Sequence, residues 1–368
     1  MSYITAIGTA NPPYRYEQSQ IADFMTRAMR LDSRDSRKLR TIFQASGIEY
    51  RYSVLKDYGQ KSGYTFFPDN DDLEPFPSTA TRLTLFRHHA LKLCVESVEN
   101  MVRDAPHIKL EDITHLVTVT CTGLYAPGLD IELVRQLGLR STVSRTAINF
   151  MGCYAAVNAI KVADAFCRQH ADVKVLVVCT ELCSLHFQKV PTEDNLISNA
   201  LFSDGSAALL IESTSAAARR LVPEAFCNDL IPAASEDMAW SVGDTGFEMK
   251  LSSYVPSLIK SGIASLANKL LGGYDKENSD LHHFAIHPGG RKILENVELE
   301  LGLSRGQSEA AYHVLRNFGN MSSATIIFVI DRIFKGLTVN NNGESILGLA
   351  FGPGLTLESM LLRTEIDA

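Results

Sequence analysis

TAINFMGCYAAVNAIKVADAFC, residues 146–167, carries the pattern that decides the fold of this chain. An apolar stretch ends at Gly152, and from Cys153 onward small and apolar residues recur at helical spacing. A strand that turns into a helix through glycine is a unit of α/β proteins, because glycine permits the tight turn and the close backbone approach. The turn presents the next side chain outward, as a nucleophile elbow does. A cysteine in the first turn of a helix also meets the positive end of the helix dipole, which favours its thiolate. Cys153 is therefore read as a candidate nucleophile, the alternative being a small buried hydrophobe beside a helix cap.

Outward from this unit, short runs rich in β-branched residues read as buried strands: HLVTVTC (115–121), KVLVVCT (174–180), AALLIES (207–213), HHFAIH (282–287) and SILGLAFG (345–352). Helical spacing lies between them. Over 80–103 the positions Leu83, Phe86, Ala90, Leu93, Cys94, Ser97, Val98 and Met101 keep a period of about 3.6 residues. Residues 153–169 and 321–335 read as further helices, the second ended by Gly336. The alternation predicts an α/β protein with a mixed or parallel sheet. The stretch 56–78, rich in Pro, Gly and acidic residues, reads as a surface excursion, and STSAAARRLV (213–222) as the domain boundary. The chain then divides into 1–215, which holds Cys153, and 216–368, which holds the strands at 282–287 and 345–352.

With 368 residues, 45% of them hydrophobic and 21% charged, this is an ordinary globular composition, long enough for two domains or one duplicated fold. A formal charge of −7 argues against a general nucleic-acid binder, yet a local basic rim can still serve an anionic small substrate. No apolar run approaches the roughly 18 residues of a membrane helix, and MSYITAIGTANPP lacks the pattern of a signal peptide. A cytoplasmic protein with no membrane or nucleic-acid partner is expected. The 7 cysteines are irregularly spaced and include no CxxC pair, which predicts free thiols. His88 with His89, and His282 with His283 and His287, lack carboxylate or cysteine neighbours at ligand spacing, so no metal is expected. The single Trp240 is read as packing.

Two segments give Cys153 partners. FAIHPGGRKIL sets His287 at the end of an apolar strand, and RNFGNMSSAT sets Asn320 after Gly319, at the start of an apolar helix. Singly, they read as a satisfied histidine and an N-cap. Together with Cys153 they make a thiol, an imidazole and an amide on element termini, a set suited to acyl transfer. A cysteine hydrolase has the same residue order, but FMGCYAA does not match the C-G-[SA]-C-[WY] context of papain-like enzymes.

FMGCYAA, IHPGG, NFGNMSSAT and LAFGPGLTLE together closely resemble the type III polyketide synthases, the chalcone synthase superfamily. The resemblance runs from GTANPP (8–13) through GLYAPGLD (123–130) and ALFSDGSAALL (200–210) to the FGPG loop (351–354); SGIEYRY (46–52) has a bacterial character. It implies the thiolase fold, five-layered αβαβα with two pseudo-equivalent halves, and a homodimer. It implies no cofactor, with coenzyme A thioesters as substrates: an acyl-CoA starter and malonyl-CoA. Cys153 would hold the starter acyl group. His287 would lower the thiol pKa, and His287 with Asn320 would donate hydrogen bonds to the thioester oxygen as it becomes anionic. Decarboxylative Claisen condensation, with a fatty acyl starter, would lead to an alkylpyrone or alkylresorcinol-type product. The nearest alternative is a β-ketoacyl synthase III-like enzyme that stops after one extension, although its histidine motif is usually HQAN.

By the same resemblance, Phe202 and Phe247 match the two phenylalanines that gate the junction of CoA tunnel and cavity, and Thr122, Ser322 and Gly354 are carried over as substrate-binding positions. Cys183 and His186 stand where chalcone-forming enzymes have threonines, Met238 where they have glycine, and Ala126 where plant members have a methionine reaching into the partner's cavity. These departures point away from a flavonoid and toward an alkyl chain. Arg34, Arg37, Lys38 and Arg40 form the clearest basic cluster for the CoA phosphates.

Overall fold

In the computed structural model, which describes residues 1–367 apart from 107, 253 and 273–279, the apolar runs form strands within two or three residues of the expected limits. The strands are β1 (Tyr3–Ala10), β2 (Tyr14–Glu17), β3 (Tyr50–Ser53), β4 (His115–Thr120), β5 (Ser144–Asn149), β6 (Lys174–Leu182), β7 (Asp204–Glu212), β8 (Arg219–Leu230), β9 (Met238–Gly243), β10 (Gly246–Leu251), β11 (Leu281–Ile286), β12 (Ser345–Gly352) and β13 (Thr356–Ile366). The helices are α1 (Gln18–Ala28), α2 (Ser33–Ala45), α3 (Thr79–Asp104), α4 (Leu129–Gln136), α5 (Ala155–Gln169), α6 (Glu193–Leu201), α7 (Val255–Gly272), α8 (Arg291–Leu301), α9 (Glu309–Phe318) and α10 (Ser323–Gly336).

A 9-stranded sheet runs in the order β11-β12-β13-β8-β1-β7-β6-β4-β5. It has two parts, which touch where Ile4 of β1 pairs with Leu221 of β8. In the first part β4 lies parallel to β5 and β6, while β6, β7 and β1 run antiparallel. In the second, β11 lies parallel to β12, while β12, β13 and β8 run antiparallel. The second part repeats the first without a counterpart of β5, so α10, which leads into β12, is the equivalent of α5, which leads into β6.

Three helical layers enclose the two sheet parts. The long helix α3 covers β1 and β7 on one outer side, and α7, packed on α8, covers β8 and β13 on the other. Between the sheets lie α5, against β4, β6 and β13, and α10, against α5, β7 and β11. A helix sandwiched between two sheets must be apolar nearly all round. In α10 every residue from Ser323 to Asp331 is buried, and α5 carries alanines at 155, 156, 159 and 163 that let both sheets approach. This is the five-layered αβαβα thiolase fold. All seven cysteines are free thiols, and among the described residues no helix is long and apolar enough to cross a membrane.

Residues 56–78 differ from the expected surface excursion. The acidic tip is exposed, but Tyr58, Phe67 and Leu73 are buried, and the Phe67 ring meets those of Phe24, Phe76 and Phe187. Buried Asp57 accepts the backbone N–H groups of Thr65, Phe66 and Phe67. Aromatic anchors spaced irregularly through a polar stretch hold it to the body of the protein.

The turn before α5 is locked against the FGPG loop. Gly152 has φ 84°, and a Cβ there would collide with the Pro353 ring, while a Cβ on Gly352 would collide with the Tyr154 ring. Gly152→Ala is expected to lower stability by about 1–3 kcal/mol through backbone strain alone. Gly336→Ala, on α10 where an added Cβ meets nothing within 4 Å, is expected to be neutral or slightly stabilising. Thermal unfolding of the two variants side by side checks both expectations.

Candidate active site

Each half of the fold delivers a candidate functional side chain just ahead of its central helix. After β5, Phe150 (φ 62°) and Gly152 (φ 84°) turn the chain, and Cys153 precedes the first helical residue, Ala155. Cys153 thus stands before the first helical turn, not within it, so the turn geometry aims the thiol more than the helix dipole does. In the other half Asn320 and Ser322 precede α10, and Ser322 is held at φ 47°. A non-glycine residue at positive φ stores strain of the kind that gathers at functional sites. His287 follows β11 directly, and its backbone N–H donates to Leu349 O of β12 at 2.8 Å.

Cys153, His287 and Asn320 border one cavity of about 330 Å³. All three are at least 98% shielded from solvent, with exposures of 2%, 1% and 2%. Cys153 Sγ lies 3.8 Å from Asn320 Oδ1. That oxygen also accepts the Ser322 N–H at 2.9 Å, which leaves Asn320 Nδ2, without a hydrogen-bond partner among the described residues, as the available donor. Among the described residues neither ring nitrogen of His287 has a hydrogen-bond partner. A buried polar atom without a partner costs roughly 1–3 kcal/mol, a cost relieved when a ligand supplies the partner.

Burial pushes the Cys153 thiol up to about 12 and the His287 imidazole down to about 3. For His287 the shift is the desolvation cost of one charge; for Cys153 desolvation leads, the Glu181 charge adds to it, and hydrogen bonds from Ser322 and Asn320 work against it. A proton passed from Sγ to the imidazole would make each charge the counter-ion of the other, and the cost would then fall on a pair.

Behind the thiol lies a feature that the sequence reading missed. Glu181, fully buried within the apolar strand β6, accepts the Cys121 N–H at 3.0 Å, the Thr122 hydroxyl at 2.7 Å and the Ser323 hydroxyl at 2.5 Å. Cys121 Sγ sits 3.2 Å from Glu181 Oε1 and 3.1 Å from Ser322 Oγ. Burial raises the Glu181 pKa, against the hydrogen bonds that lower it. The network runs from Glu181 through Cys121 and Ser322 to the Asn320 carboxamide, and so fixes which way that amide faces.

The remaining expected positions separate into groups. Met238 borders the 330 Å³ cavity, as does Phe351 of the FGPG loop. Phe247, Cys183 and His186 instead border a second space of about 40 Å³, and Phe202 borders both. Thr122 is buried against Glu181, and Gly354, with φ 76°, shapes the FGPG turn. The basic cluster also divides. Lys38, on the same face of α2 as Ile42 and Ala45, reaches the mouth of the 330 Å³ cavity, whereas Arg34, Arg37 and Arg40 do not border it, and Arg40 pairs with Asp23 at 2.6 Å. Arg291 and Lys292, at the start of α8, join Lys38 at the mouth. HPGGRK placed these two one turn from His287, a signal that the basic run on α2 overshadowed.

Residues 1–215 match the N-terminal domain of the chalcone and stilbene synthases, and residues 224–365 match the C-terminal domain. The chain belongs to this family. Among chalcone and stilbene synthase relatives, the "Alpha-pyrone synthesis polyketide synthase-like Pks18" of Mycobacterium tuberculosis is 31% identical over 366 residues, 98% of this chain and 91% of its own length. Two solved structures superpose with a TM-score of 0.91. One is the C-terminal type III polyketide synthase domain of Steely1, a type I/III hybrid from Dictyostelium, 28% identical, covering 99% of each chain. The other is PKS-I from the brown alga Ectocarpus siliculosus, 30% identical, covering 98% of each. The protein is thus a type III polyketide synthase, an acyltransferase-type enzyme, which sets aside the cysteine hydrolase reading.

If His287 shares the Cys153 proton, alkylation by iodoacetamide responds to pH in a defined way. In His287→Ala the thiol is left with the position that burial sets, about 12, so its labelling rate keeps rising throughout the alkaline range. In the wild type the rate levels off at lower pH, because the thiolate forms beside an imidazolium. Identical profiles would show that the imidazole takes no part.

Proposed function

We propose that this enzyme joins an aliphatic acyl-CoA starter to malonyl-CoA extender units and closes the product to an alkylpyrone or alkylresorcinol-type ring. The observation that supports this reading most is the convergence of Cys153, His287 and the Asn320 amide on one cavity whose far wall is aliphatic, with Leu251, Val255, Ile259 and Ile293. The α-pyrone relative supports the product class.

In this reading the Cys153 thiolate attacks the acyl-CoA carbonyl, a C–S bond to Sγ forms, and CoA thiolate leaves with the proton that His287 had taken. Malonyl-CoA then binds in the emptied tunnel and loses CO₂. The electron pair of the broken C–C bond passes into a thioester enolate whose oxygen accepts from His287 Nε2–H and Asn320 Nδ2–H. One such donor typically supplies about 2.7–4 kcal/mol of barrier lowering. The enolate carbon attacks the Cys153 thioester and expels the thiolate, leaving a β-ketoacyl-CoA two carbons longer. No water enters the balance, in keeping with the shielded cavity. Lys38, Arg291 and Lys292 at the mouth suit the phosphates of CoA, whose thiol end then points inward.

We further propose that the halves divide at 215/216 and that the protein is a homodimer. Strand β5 ends the sheet with an open edge, and Leu124 and Ala126, in the loop after the neighbouring β4, are exposed. Light scattering that gives a monomer mass at micromolar concentration would remove the dimer.

The test is turnover of radiolabelled malonyl-CoA with a panel of acyl-CoA starters. Release of CO₂ with an extended, cyclised product is expected, and Asn320→Ala is expected to lower kcat by about 10²–10³. Lys38→Ala and Lys292→Ala are expected to raise KM for both thioesters with kcat nearly unchanged. No extended product from any starter would sink the reading.

A further inference from the structure

We propose that Cys153 is also a modification site: when a peroxide oxidises it to a sulfenic acid, coenzyme A captures it as a mixed disulfide. The inference rests on the reading above that CoA thioesters enter the 330 Å³ cavity. It concerns the nucleophile between turnovers, when no acyl group covers it.

Three thiols lie around this site, and they are placed differently. Cys153 is the one cysteine, among the described residues, that borders the 330 Å³ cavity. Cys183 borders the separate 40 Å³ space. Cys121 borders neither, and its Sγ is engaged by Glu181 Oε1 at 3.2 Å and Ser322 Oγ at 3.1 Å. A thiol that resolves a sulfenic acid attacks as its thiolate. Burial, and after it the Glu181 charge, pushes both Cys121 and Cys183 well above the ordinary thiol range, so both stay protonated. Neither is set to close a disulfide with Cys153. The resolving thiol has to arrive through the cavity.

The same cavity supplies what the chemistry needs. Water takes roughly 10–15 Å³ on this scale, so 330 Å³ admits hydrogen peroxide, which is little larger. His287 is 1% exposed, and neither ring nitrogen has a partner among the described residues. It takes the Sγ proton here as it does before acyl transfer. The thiolate then attacks peroxide: an S–O bond forms, the O–O bond breaks, and hydroxide leaves as water with the proton from His287. The sulfur is oxidised by two electrons and the peroxide reduced by two. Left alone, a sulfenic acid proceeds with more peroxide to sulfinic acid, which thiols do not restore.

CoA is the thiol that acyl transfer already delivers. In the tetrahedral intermediate the CoA sulfur and Cys153 Sγ are bonded to one carbon, so CoA departs from beside Sγ. Lys38, Arg291 and Lys292 at the mouth face its phosphates. In the capture step the CoA thiol gives its proton to His287, its sulfur bonds to Sγ, the S–O bond breaks, and hydroxide leaves as water with that proton. The sum is one peroxide and two thiols giving one disulfide and two waters. A second thiol then frees Cys153 by exchange.

The experiment exposes the wild-type enzyme to hydrogen peroxide alone, with CoA, or with pantetheine. Each sample is read by peptide mass spectrometry and by the activity regained after dithiothreitol. With CoA, the Cys153 peptide is expected to carry CoA, and dithiothreitol to restore activity. With peroxide alone, sulfinic acid on Cys153 and no recovery are expected. CoA is expected to protect at about tenfold lower concentration than pantetheine, which lacks the phosphates that the mouth cations face. Sulfinic acid on Cys153 despite saturating CoA, a Cys121–Cys153 disulfide, or equal protection by pantetheine overturns the proposal. An unoxidised sample given acyl-CoA separates the two readings. Acylated Cys153 beside a peroxide arm with no CoA adduct removes this proposal alone, whereas no acylation by any acyl-CoA removes the proposed function on which it rests.

Discussion

The structure depends on one constraint: a thiol, an imidazole and a carboxamide must be kept away from water at the meeting point of two layered sheets. Burial alone makes either charge costly, with Cys153 pushed up to about 12 and His287 down to about 3. A neutral thiol and a neutral imidazole bordering one cavity are the low-energy resting forms, and charge is favoured only where a partner charge or an oxyanion appears with it. The fold meets the constraint by bringing α5 and α10, the equivalent helices of the two halves, together between the sheets. Their N-terminal ends supply Cys153 and Asn320, and strand β11 supplies His287.

Close fit at these ends is enforced by backbone as much as by side chains. Gly152 and Gly352 allow the cysteine turn and the FGPG loop to interlock, since neither has room for a Cβ. The strained Ser322 is held by the Asn320 carboxamide on one side and the Cys121 thiol on the other. Glu181 anchors that arrangement from below through neutral donors, so a buried carboxylate serves as a fixed acceptor. Under the proposed function, substrate groups are thereby met by donors already in place, the condition under which a hydrogen bond contributes most to a developing anion.

Much of this was legible in the sequence, for identifiable reasons. Strands buried on both faces show as unbroken apolar runs, and β4, β6, β7, β11 and β12 stood out in this way. Catalytic candidates on element ends were visible because glycine marks the turns before Cys153 and Asn320. What remained hidden depends on distance in space. Glu181 sits inside an apolar run, and its donors come from Cys121, Thr122 and Ser323. Trp240, with its N–H on Cys121 O, is placed there by the register of β9 on β10. Lys38 and Arg40 differ by half a helical turn, enough to put one at the cavity mouth and the other on Asp23. Aromatic anchors within 56–78 were masked by the polar residues around them.

The central claim is that Cys153 carries the acyl group. Mass spectrometry of peptides from protein quenched during turnover reads it directly. The acyl mass, and then the mass of the extended chain, is expected on the peptide containing Cys153, with none on Cys121 or Cys183. An acyl adduct on another cysteine, or full turnover by Cys153→Ala, would contradict the account.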